Sequence, residues 1–270
     1  MKSGIGKDGW RDELTGGILH LDDRQDWFRN RRKMLTLLGL TGVNVLSAHS
    51  SASSGSGGGS SQRIPACVVT PAQTEGPYFI DERLHRSDVR SDPSDGSVKE
   101  GLPLALEIRV LAVGQTGCVP LQDAVVDIWQ CDAQGMYSDV MDPAFHTVGK
   151  KFLRGYQVTD AKGIARFLTI YPGWYPGRTV HIHFKIRVKG KYRWAHELTS
   201  QFYFDDTVTD RVHAHPPYAP HTSAKSRLPR TRNEQDGIFP QGGDQLVLTL
   251  VETNQGYVAR FDVGLKGISA

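Results

Sequence analysis

The chain has 270 residues, of which 39% are hydrophobic, and its 32 Lys and Arg against 29 Asp and Glu leave a formal net charge of +3. This length and composition allow one or two domains with a sizeable core, and so small a charge gives no reason to expect a nucleic-acid partner. The three cysteines, Cys67, Cys118 and Cys131, are too few for a disulfide scaffold and form no CxxC metal motif, so one bridge and one remaining thiol are allowed, with the pairing undecided.

The N-terminal region carries features of an export signal. Arg31-Arg32-Lys33 precedes a mostly apolar run that ends at Leu46 and is followed by small residues, a pattern that resembles a bacterial twin-arginine signal. We therefore expect export to the periplasm or the cell exterior, without stable membrane insertion, because the run is too short to span a bilayer. A cytosolic N-terminal helix is the alternative, since a long polar lead, residues 1–28, precedes the arginines.

A stretch rich in glycine and serine follows at residues 50–61. Every residue in it except Ala52 is Gly or Ser. Because such a composition cannot bury apolar surface, the stretch is predicted to be a flexible linker. The sequence thus predicts a disordered signal and linker region over residues 1–64 and one folded domain over residues 65–270.

The folded domain has the pattern of an all-β protein. Residues 104–113, LALEIRVLAV, alternate in hydrophobicity, and no convincing helix of ten or more residues appears after residue 65. About eight short strands with irregular connections predict an antiparallel β-sandwich with long loops. Residues 206–244 are predicted to form a long excursion of loops. After the first, the predicted strands are Ala124–Gln130, Phe152–Thr159, Ile164–Ile170, Thr179–Val188, Leu198–Phe204, Gln245–Val251 and Tyr257–Val263.

A pair of histidines on one predicted strand is the sharpest chemical signal. Along residues 180–188 the apolar side chains fall on one face of the strand, whereas His181 and His183 fall on the other. Two imidazoles so placed can converge on one metal ion. His213 and His215 have the same spacing, but they lie in a Pro-rich stretch without strand pattern and are predicted to be loop.

Two tyrosines extend this candidate site. Tyr175 lies just before His181, and Tyr137 follows a glycine-containing turn. A phenol must lose a proton of unperturbed pKa about 10 in order to bind a metal, so only a strongly Lewis-acidic ion suits it. Phenolate oxygen is a hard ligand, which makes ferric iron the natural partner. Two phenolates with two imidazoles therefore favour Fe(III) over Fe(II) or zinc.

Several segments together resemble the intradiol ring-cleavage dioxygenases, non-haem ferric enzymes that open catechols between the two hydroxylated carbons. These segments are TPAQTEGPYF (70–79), DIWQCDAQGMYS (127–138), the run over residues 152–184 and LTSQFYFD (198–205). The resemblance implies the family's β-sandwich and a bound Fe(III). It also implies that the metal ligands are Tyr137, Tyr175, His181 and His183.

The resemblance further implies roles around the metal. Tyr175 matches the ligand that leaves the iron when substrate chelates, and Arg178 matches an arginine whose charge stabilises carbanion character on the ring. Gln201 lines the same pocket, and Pro77 and Tyr78 form one wall of the substrate site. The implied reaction is the opening of a catechol-type aromatic by O2 to a cis,cis-muconate-type product. No motif for nicotinamide, flavin or haem is present.

The chain departs from the family in two places. Only Pro176 and Gly177 separate Tyr175 from Arg178, fewer residues than in the protocatechuate enzymes. The signal-like segment and linker also stand where the catechol and hydroxyquinol enzymes have a helical dimerisation domain. Both departures favour a more open site for bulky or varied catechols, and they leave the substrate and any homo-oligomer undetermined.

Two other functions compete with this interpretation. One is a cupin-like Fe(II) or Zn enzyme built on His181 and His183, which would need a further carboxylate or histidine ligand. The other is an exported, non-enzymatic β-sandwich that binds aromatic or polymeric ligands. It would hold no iron.

Overall fold

Alternating apolar residues along the strands build two sheets that bury one face each against the other. The computed structural model describes residues 68–143, 145–191, 193–218 and 229–268. All of these residues lie within the compact unit Gln62–Ala270. The predicted export signal, the linker and the domain boundary at residue 64 lie outside the described residues and stay predictions.

The described part of the chain contains eleven strands and one α-helix. In chain order they are β1 (Pro103–Val113), β2 (Cys118–Pro120), β3 (Val125–Trp129), β4 (Met141–Asp142), β5 (Phe145–His146), β6 (Arg154–Val158), β7 (Ile164–Ile170), β8 (His181–Lys189), β9 (Trp194–Tyr203), α1 (Asp206–His213), β10 (Leu250–Thr253) and β11 (Gly256–Lys266). Within these residues no helix is long and apolar enough to cross a bilayer.

The strands form two main sheets and a small hairpin. The first sheet has the order β10-β11-β1-β2, with β7 also paired to β1, and the second has the order β6-β3-β8-β9. Strands β4 and β5 pair with each other. The predicted all-β sandwich with long loops is confirmed, and its pairs are antiparallel except for β1 with β11, which run parallel from Leu104 beside Tyr257 to Val113 beside Lys266.

The core lies between the two sheets and fixes the orientation of β8. The inward residues of β1, including Leu106 and Ile108, belong to the same buried cluster as Ile182, Phe184 and Ile186 of β8. Burying side chains of this size stabilises a fold by about 1.5–3 kcal/mol each. Because strand side chains alternate, this burial turns the odd-numbered residues of β8, starting with His181, to the outer face of the second sheet.

That outer face is also covered, which the alternation alone does not predict. The chain before β1 crosses it, and Glu75 forms an ion pair with Lys185. The ammonium of Lys185 lies 4.0 Å from the centre of the Phe79 ring, and Arg187 donates to Asp127 at 2.9 Å. Glu75, which in isolation looks like a catalytic carboxylate, therefore anchors the covering segment.

Two predictions for the C-terminal third are wrong in detail. Only the last two residues of the predicted strand Gln245–Val251 are extended, because Gly242 has a left-handed φ of 85° and opens a short 3-10 helix, Gly243–Leu246. The strand begins only at Leu250. Helix α1 lies inside the predicted loop excursion, where Asp205 accepts hydrogen bonds from two backbone N–H groups and caps the helix.

The remaining sequence features of this domain have structural positions. His213 ends α1, and its Nε2 donates to the carbonyl of Pro172 at 2.9 Å. Cys118 is disulfide-bonded. Cys131 is buried in a small cluster with Trp129 and Tyr137.

Candidate metal centre

His181 and His183 bring their ring nitrogens together at the start of β8. Both side chains are almost fully buried, and their Nε2 atoms lie 3.1 Å apart. Strand β8 lies between β3 and β9, so His183 has Trp129 on one side and Gln201 on the other. The Trp129 ring stacks on His183 at 4.9 Å with an interplanar angle of 4°. The sheet thus fixes the two imidazoles from both sides.

The hydrogen bonding of His181 determines which nitrogen carries its lone pair. Nδ1 lies 2.6 Å from the carbonyl oxygen of Thr179, which can only accept, so Nδ1 holds the proton and Nε2 the lone pair. Burial, reinforced by the charge of Arg178, lowers the pKa of His181 to about 3. Burial likewise lowers the pKa of His183 well below its usual value. Two neutral imidazoles therefore face one point, as metal-binding histidines do.

Tyr137 and Tyr175 complete a set of four donor atoms. Each phenol oxygen lies 3.3 Å from Nε2 of His181, although the two tyrosines come from different loops, one after β3 and the other before β8. Burial raises the pKa of Tyr137 well above its usual value, and the charge of Tyr175 adds to this effect. Burial also raises the pKa of Tyr175. Without a cation both phenols are neutral, and a strong Lewis acid is needed to ionise them.

The donor set fits ferric iron. Two phenol oxygens and two neutral nitrogens converge in a buried place, and ionised phenolates are hard ligands that suit a trivalent ion. In the described residues no group of three or more His, Cys, Asp or Glu side chains could hold a metal ion. The partners that surround the His181 and His183 pair are thus phenols, whereas the cupin-like alternative needs a carboxylate or a third imidazole.

Arg178 is fixed beside this centre by an acidic residue that the sequence did not reveal. Its Nε donates to Asp236 Oδ2 at 2.8 Å and its Nη2 donates to Gln201 Oε1 at 2.5 Å. Asp236 is fully buried and also accepts the backbone N–H of Thr179 at 2.7 Å. Burial works against the charge of Arg178, but Tyr175 and Asp236 outweigh it, so the pKa of Arg178 is raised.

The predicted wall residue Tyr78 contacts both tyrosines. Its ring stacks on Tyr137 at 4.5 Å and meets Tyr175 edge-on at 6.4 Å. Its hydroxyl donates to Asp142 Oδ2 at 2.7 Å, and burial together with this bond raises the pKa of Tyr78 to about 12. Pro77 is exposed in the turn just before it. The structure therefore brings Tyr78, Arg178 and Gln201 together with the four predicted ligands, adds Asp142 and Asp236, and, within the described residues, shows no hydrogen bond or ring contact of Pro77 with those ligands.

Comparisons with known proteins find similar sequences and similar folds. Residues 74–215, just over half of the chain, match a family model described as "Dioxygenase". The chain is 37% identical over 122 residues to the protocatechuate 3,4-dioxygenase beta chain of Burkholderia cepacia, covering 42% of this chain and 51% of that protein. It is 30% identical over 149 residues to a chlorocatechol 1,2-dioxygenase of Pseudomonas putida, covering 48% of this chain and 52% of that protein. The chain thus spans about half the length of the curated relatives it matches.

A solved structure extends the likeness over the whole domain. The intradiol ring-cleavage dioxygenase from Tetranychus urticae superposes with a TM-score of 0.63 at 30% identity, covering 75% of this chain and 97% of that one. A dioxygenase domain from a Streptomyces protein superposes with a TM-score of 0.50 at 28% identity, covering 74% of this chain and 99% of that one. Both likenesses reach well beyond the segment that the family model matches.

Proposed function

Because the chain belongs to the intradiol ring-cleavage dioxygenase family, we propose that it cleaves a catechol-type aromatic with O2 to a cis,cis-muconate-type product. Fe(III) is the proposed cofactor, with Tyr137, Tyr175, His181 and His183 as its ligands. The observation that carries this proposal is that two phenol oxygens, each at 3.3 Å, and the His183 Nε2 atom, at 3.1 Å, converge on Nε2 of His181.

Bound Fe(III) would supply a Lewis acid that could bind the catechol and make its ring reactive toward O2. The two tyrosines differ in burial, and therefore in the role that each can have in the reaction. Tyr137 is fully buried, whereas Tyr175 is only partly buried. Because burial raises the pKa of Tyr175, its phenolate oxygen would be a strong acceptor for a catechol proton. Tyr175 is therefore the proposed proton acceptor, while Tyr137 stays in place.

Arg178 and Gln201 are proposed to act on the ring. The Arg178 guanidinium is held rigidly by Asp236 on one side and by Gln201 on the other. A fixed cation of this kind stabilises negative charge that develops on a neighbouring carbon, and it needs no reorganisation during the reaction. Gln201 also donates to the carbonyl of Thr74 at 3.0 Å, which links this pair to the segment that leads to Pro77 and Tyr78.

The activity is tested by measuring O2 uptake and product mass with iron-loaded protein and a panel of catechols. We expect one O2 consumed per catechol and a ring-opened diacid that carries both oxygen atoms of labelled O2. Tyr175→Phe should reduce turnover strongly, whereas Tyr156→Phe, on β6 outside the centre, should not. An extradiol product, or turnover that survives in Tyr137→Phe and His181→Ala, would contradict the proposal. Turnover of varied and bulky catechols is expected from the short link between Tyr175 and Arg178.

We further propose that the protein is exported through a twin-arginine signal. Support comes from the sequence alone, in the paired Arg31 and Arg32 before an apolar run. Fractionation of a bacterium that expresses the chain should find the protein in the periplasm or the medium, and replacement of both arginines with lysine should keep it in the cytoplasm. Unchanged distribution in the double-lysine variant would contradict export by this route.

A further inference from the structure

The chain uses one five-residue turn twice. Asp132-Ala-Gln-Gly135-Met136 leads to Tyr137, and Asp160-Ala-Lys-Gly163-Ile164 joins β6 to β7. In the first turn the Asp132 carboxylate accepts from the N–H groups two and four residues on, both at 3.0 Å. In the second, Asp160 accepts from the equivalent groups at 2.8 and 2.9 Å. Both turns hold their glycine at a left-handed φ, 83° and 72°.

The surroundings of the two carboxylates differ. The Asp132 side chain is fully buried, and its second oxygen accepts from the ammonium of Lys99 at 2.9 Å. The Asp160 side chain is 44% exposed, and its second oxygen lies 3.3 Å from Arg166. A buried carboxylate that accepts three hydrogen bonds holds its loop more rigidly than one that water can reach.

The turn at Asp132 also contacts the loop that carries Tyr175. The N–H of Gly173 donates to the carbonyl of Asp132 at 3.1 Å. A Cβ atom on Gly173 would lie 2.4 Å from that same carbonyl oxygen, and one on Gly135 would lie 2.2 Å from the carbonyl oxygen of Trp174. The backbones that lead to Tyr137 and to Tyr175 are therefore in direct contact. In the other turn, a Cβ atom on Gly163 would meet the carbonyl of Val110 on β1.

We propose that Asp132 is a positioning residue that sets the spacing of the two phenol oxygens at the metal. This inference rests on the proposed function. Its carboxylate fixes the turn that carries Tyr137, and its carbonyl holds the loop that carries Tyr175.

The test compares Asp132→Ala and Asp132→Asn with the matched control Asp160→Ala. The control loses the same two backbone hydrogen bonds in the same turn, but far from the tyrosines. Each purified variant is loaded with Fe(III), and two properties are measured: the energy of the tyrosinate-to-iron absorption band, and the iron affinity by competition with a chelator. Thermal unfolding is recorded alongside, so that a loss of stability is separated from a change at the centre.

We expect Asp132→Ala to bind iron about 10–100-fold more weakly, the range typical of groups that orient metal ligands, and to shift the absorption band. Asp132→Asn keeps the acceptor oxygen but weakens both hydrogen bonds by removing the charge, so it should change both properties less and in the same direction. If Asp132→Ala does not fold, Asp132→Asn decides. Asp160→Ala should lower stability and leave band and affinity unchanged.

The inference is overturned if the folded Asp132 variants keep the band energy and iron affinity of the unmodified protein. It is also overturned if Asp160→Ala changes them equally, because the effect would then be one of general stability. An unmodified protein that takes up iron without a tyrosinate band would instead contradict the proposed function, and the inference would fall with it. A normal band in the unmodified protein and in all variants contradicts the inference alone.

Discussion

The two Asp-Ala-x-Gly turns have the same local geometry and different consequences. In both, an aspartate carboxylate accepts hydrogen bonds from two backbone N–H groups, and a glycine has a positive φ. One is exposed, connects β6 of one sheet to β7 of the other and packs against β1, while the other is buried and joins the loops of two tyrosines. Local sequence thus determines the shape of a turn, whereas its packing partner determines whether the turn supports the fold or the candidate site.

The largest expected effect is that of replacing Tyr137, the residue that follows the Asp132 turn. Tyr137→Phe removes one phenol oxygen from the centre and little else, so iron affinity should fall by more than about 100-fold, beyond the usual effect of an outer group. Ala165→Gly, at the equivalent position after the other turn, should only lower stability. Iron content and chelator competition measure both. Retained affinity in Tyr137→Phe would remove this tyrosine from the ligand set.

The glycines of the two turns give the next effect. Gly135→Ala and Gly163→Ala each force a side chain into a left-handed conformation, which costs about 1–3 kcal/mol in unfolding free energy. Each new Cβ also meets a backbone carbonyl, at 2.2 Å from Trp174 and 2.5 Å from Val110 respectively.

Only Gly135→Ala should also displace Tyr175, and misplacement near the chemistry can cost about 100-fold in turnover. Denaturant unfolding and the rate of catechol cleavage separate the two effects. Equal losses of turnover in both glycine variants would mean that the link between the tyrosine loops has no functional role.

Acidification should destabilise the iron-free protein through the buried histidines. The pKa of His181 is about 3 in the fold against about 6.5 when unfolded. Below pH 6.5 the unfolded chain therefore binds a proton at His181 that the folded protein does not bind. Stability falls as the pH falls from 6.5 towards 3, by about 1.4 kcal/mol per pH unit for each such histidine.

His181→Asn should flatten this dependence by close to one proton. Urea unfolding at pH 7, 6 and 5 gives the slopes. An unchanged slope in His181→Asn would show that this imidazole is not held neutral by burial.

The smallest effect concerns the cations that face the two aspartates. Lys99→Met leaves the fully buried Asp132 without its ammonium partner, so unfolding free energy should fall by about 1–3 kcal/mol. Arg166→Met removes a cation from the exposed Asp160, and its other partner, Glu107, keeps Arg260, so the cost should be about 0–1 kcal/mol. Thermal unfolding at low and high salt distinguishes the two ion pairs, since salt screens the exposed pair of Arg166 and Asp160 more than the buried one. A larger loss of unfolding free energy in Arg166→Met than in Lys99→Met would contradict the conclusion that Asp132 depends more on its cation than Asp160 does.

The sequence predicted the parts of the fold that depend on local pattern. Strand β8 was predicted from strict alternation, and the convergence of His181 and His183 follows from that alternation and the pleat. The parallel pairing of β1 with β11 joins residues about 150 positions apart and leaves no local pattern. The strand predicted at 245–251 failed because glycines at 242 and 243 open a 3-10 helix where the apolar pattern indicated extension.

The polar groups around the centre were beyond sequence reasoning for a similar reason. Asp236 lies 58 residues after Arg178, in a segment whose composition indicates only loop, and Asp142 lies 64 residues after Tyr78. Neither carboxylate belongs to a recognisable motif. Its role arises only because the folded chain brings it back beside Arg178 or Tyr78. The four donors could be named because each lies in a segment of recognisable pattern.

The measurement that tests the central claim most directly is the visible absorption spectrum of the iron-loaded protein, alone and then with catechol under anaerobic conditions. Two tyrosine ligands predict a broad tyrosinate-to-Fe(III) band that shifts when catechol is added and Tyr175 is released, and this band should be lost or altered in Tyr137→Phe. A colourless protein that holds one iron per chain would contradict a centre built on Tyr137, Tyr175, His181 and His183.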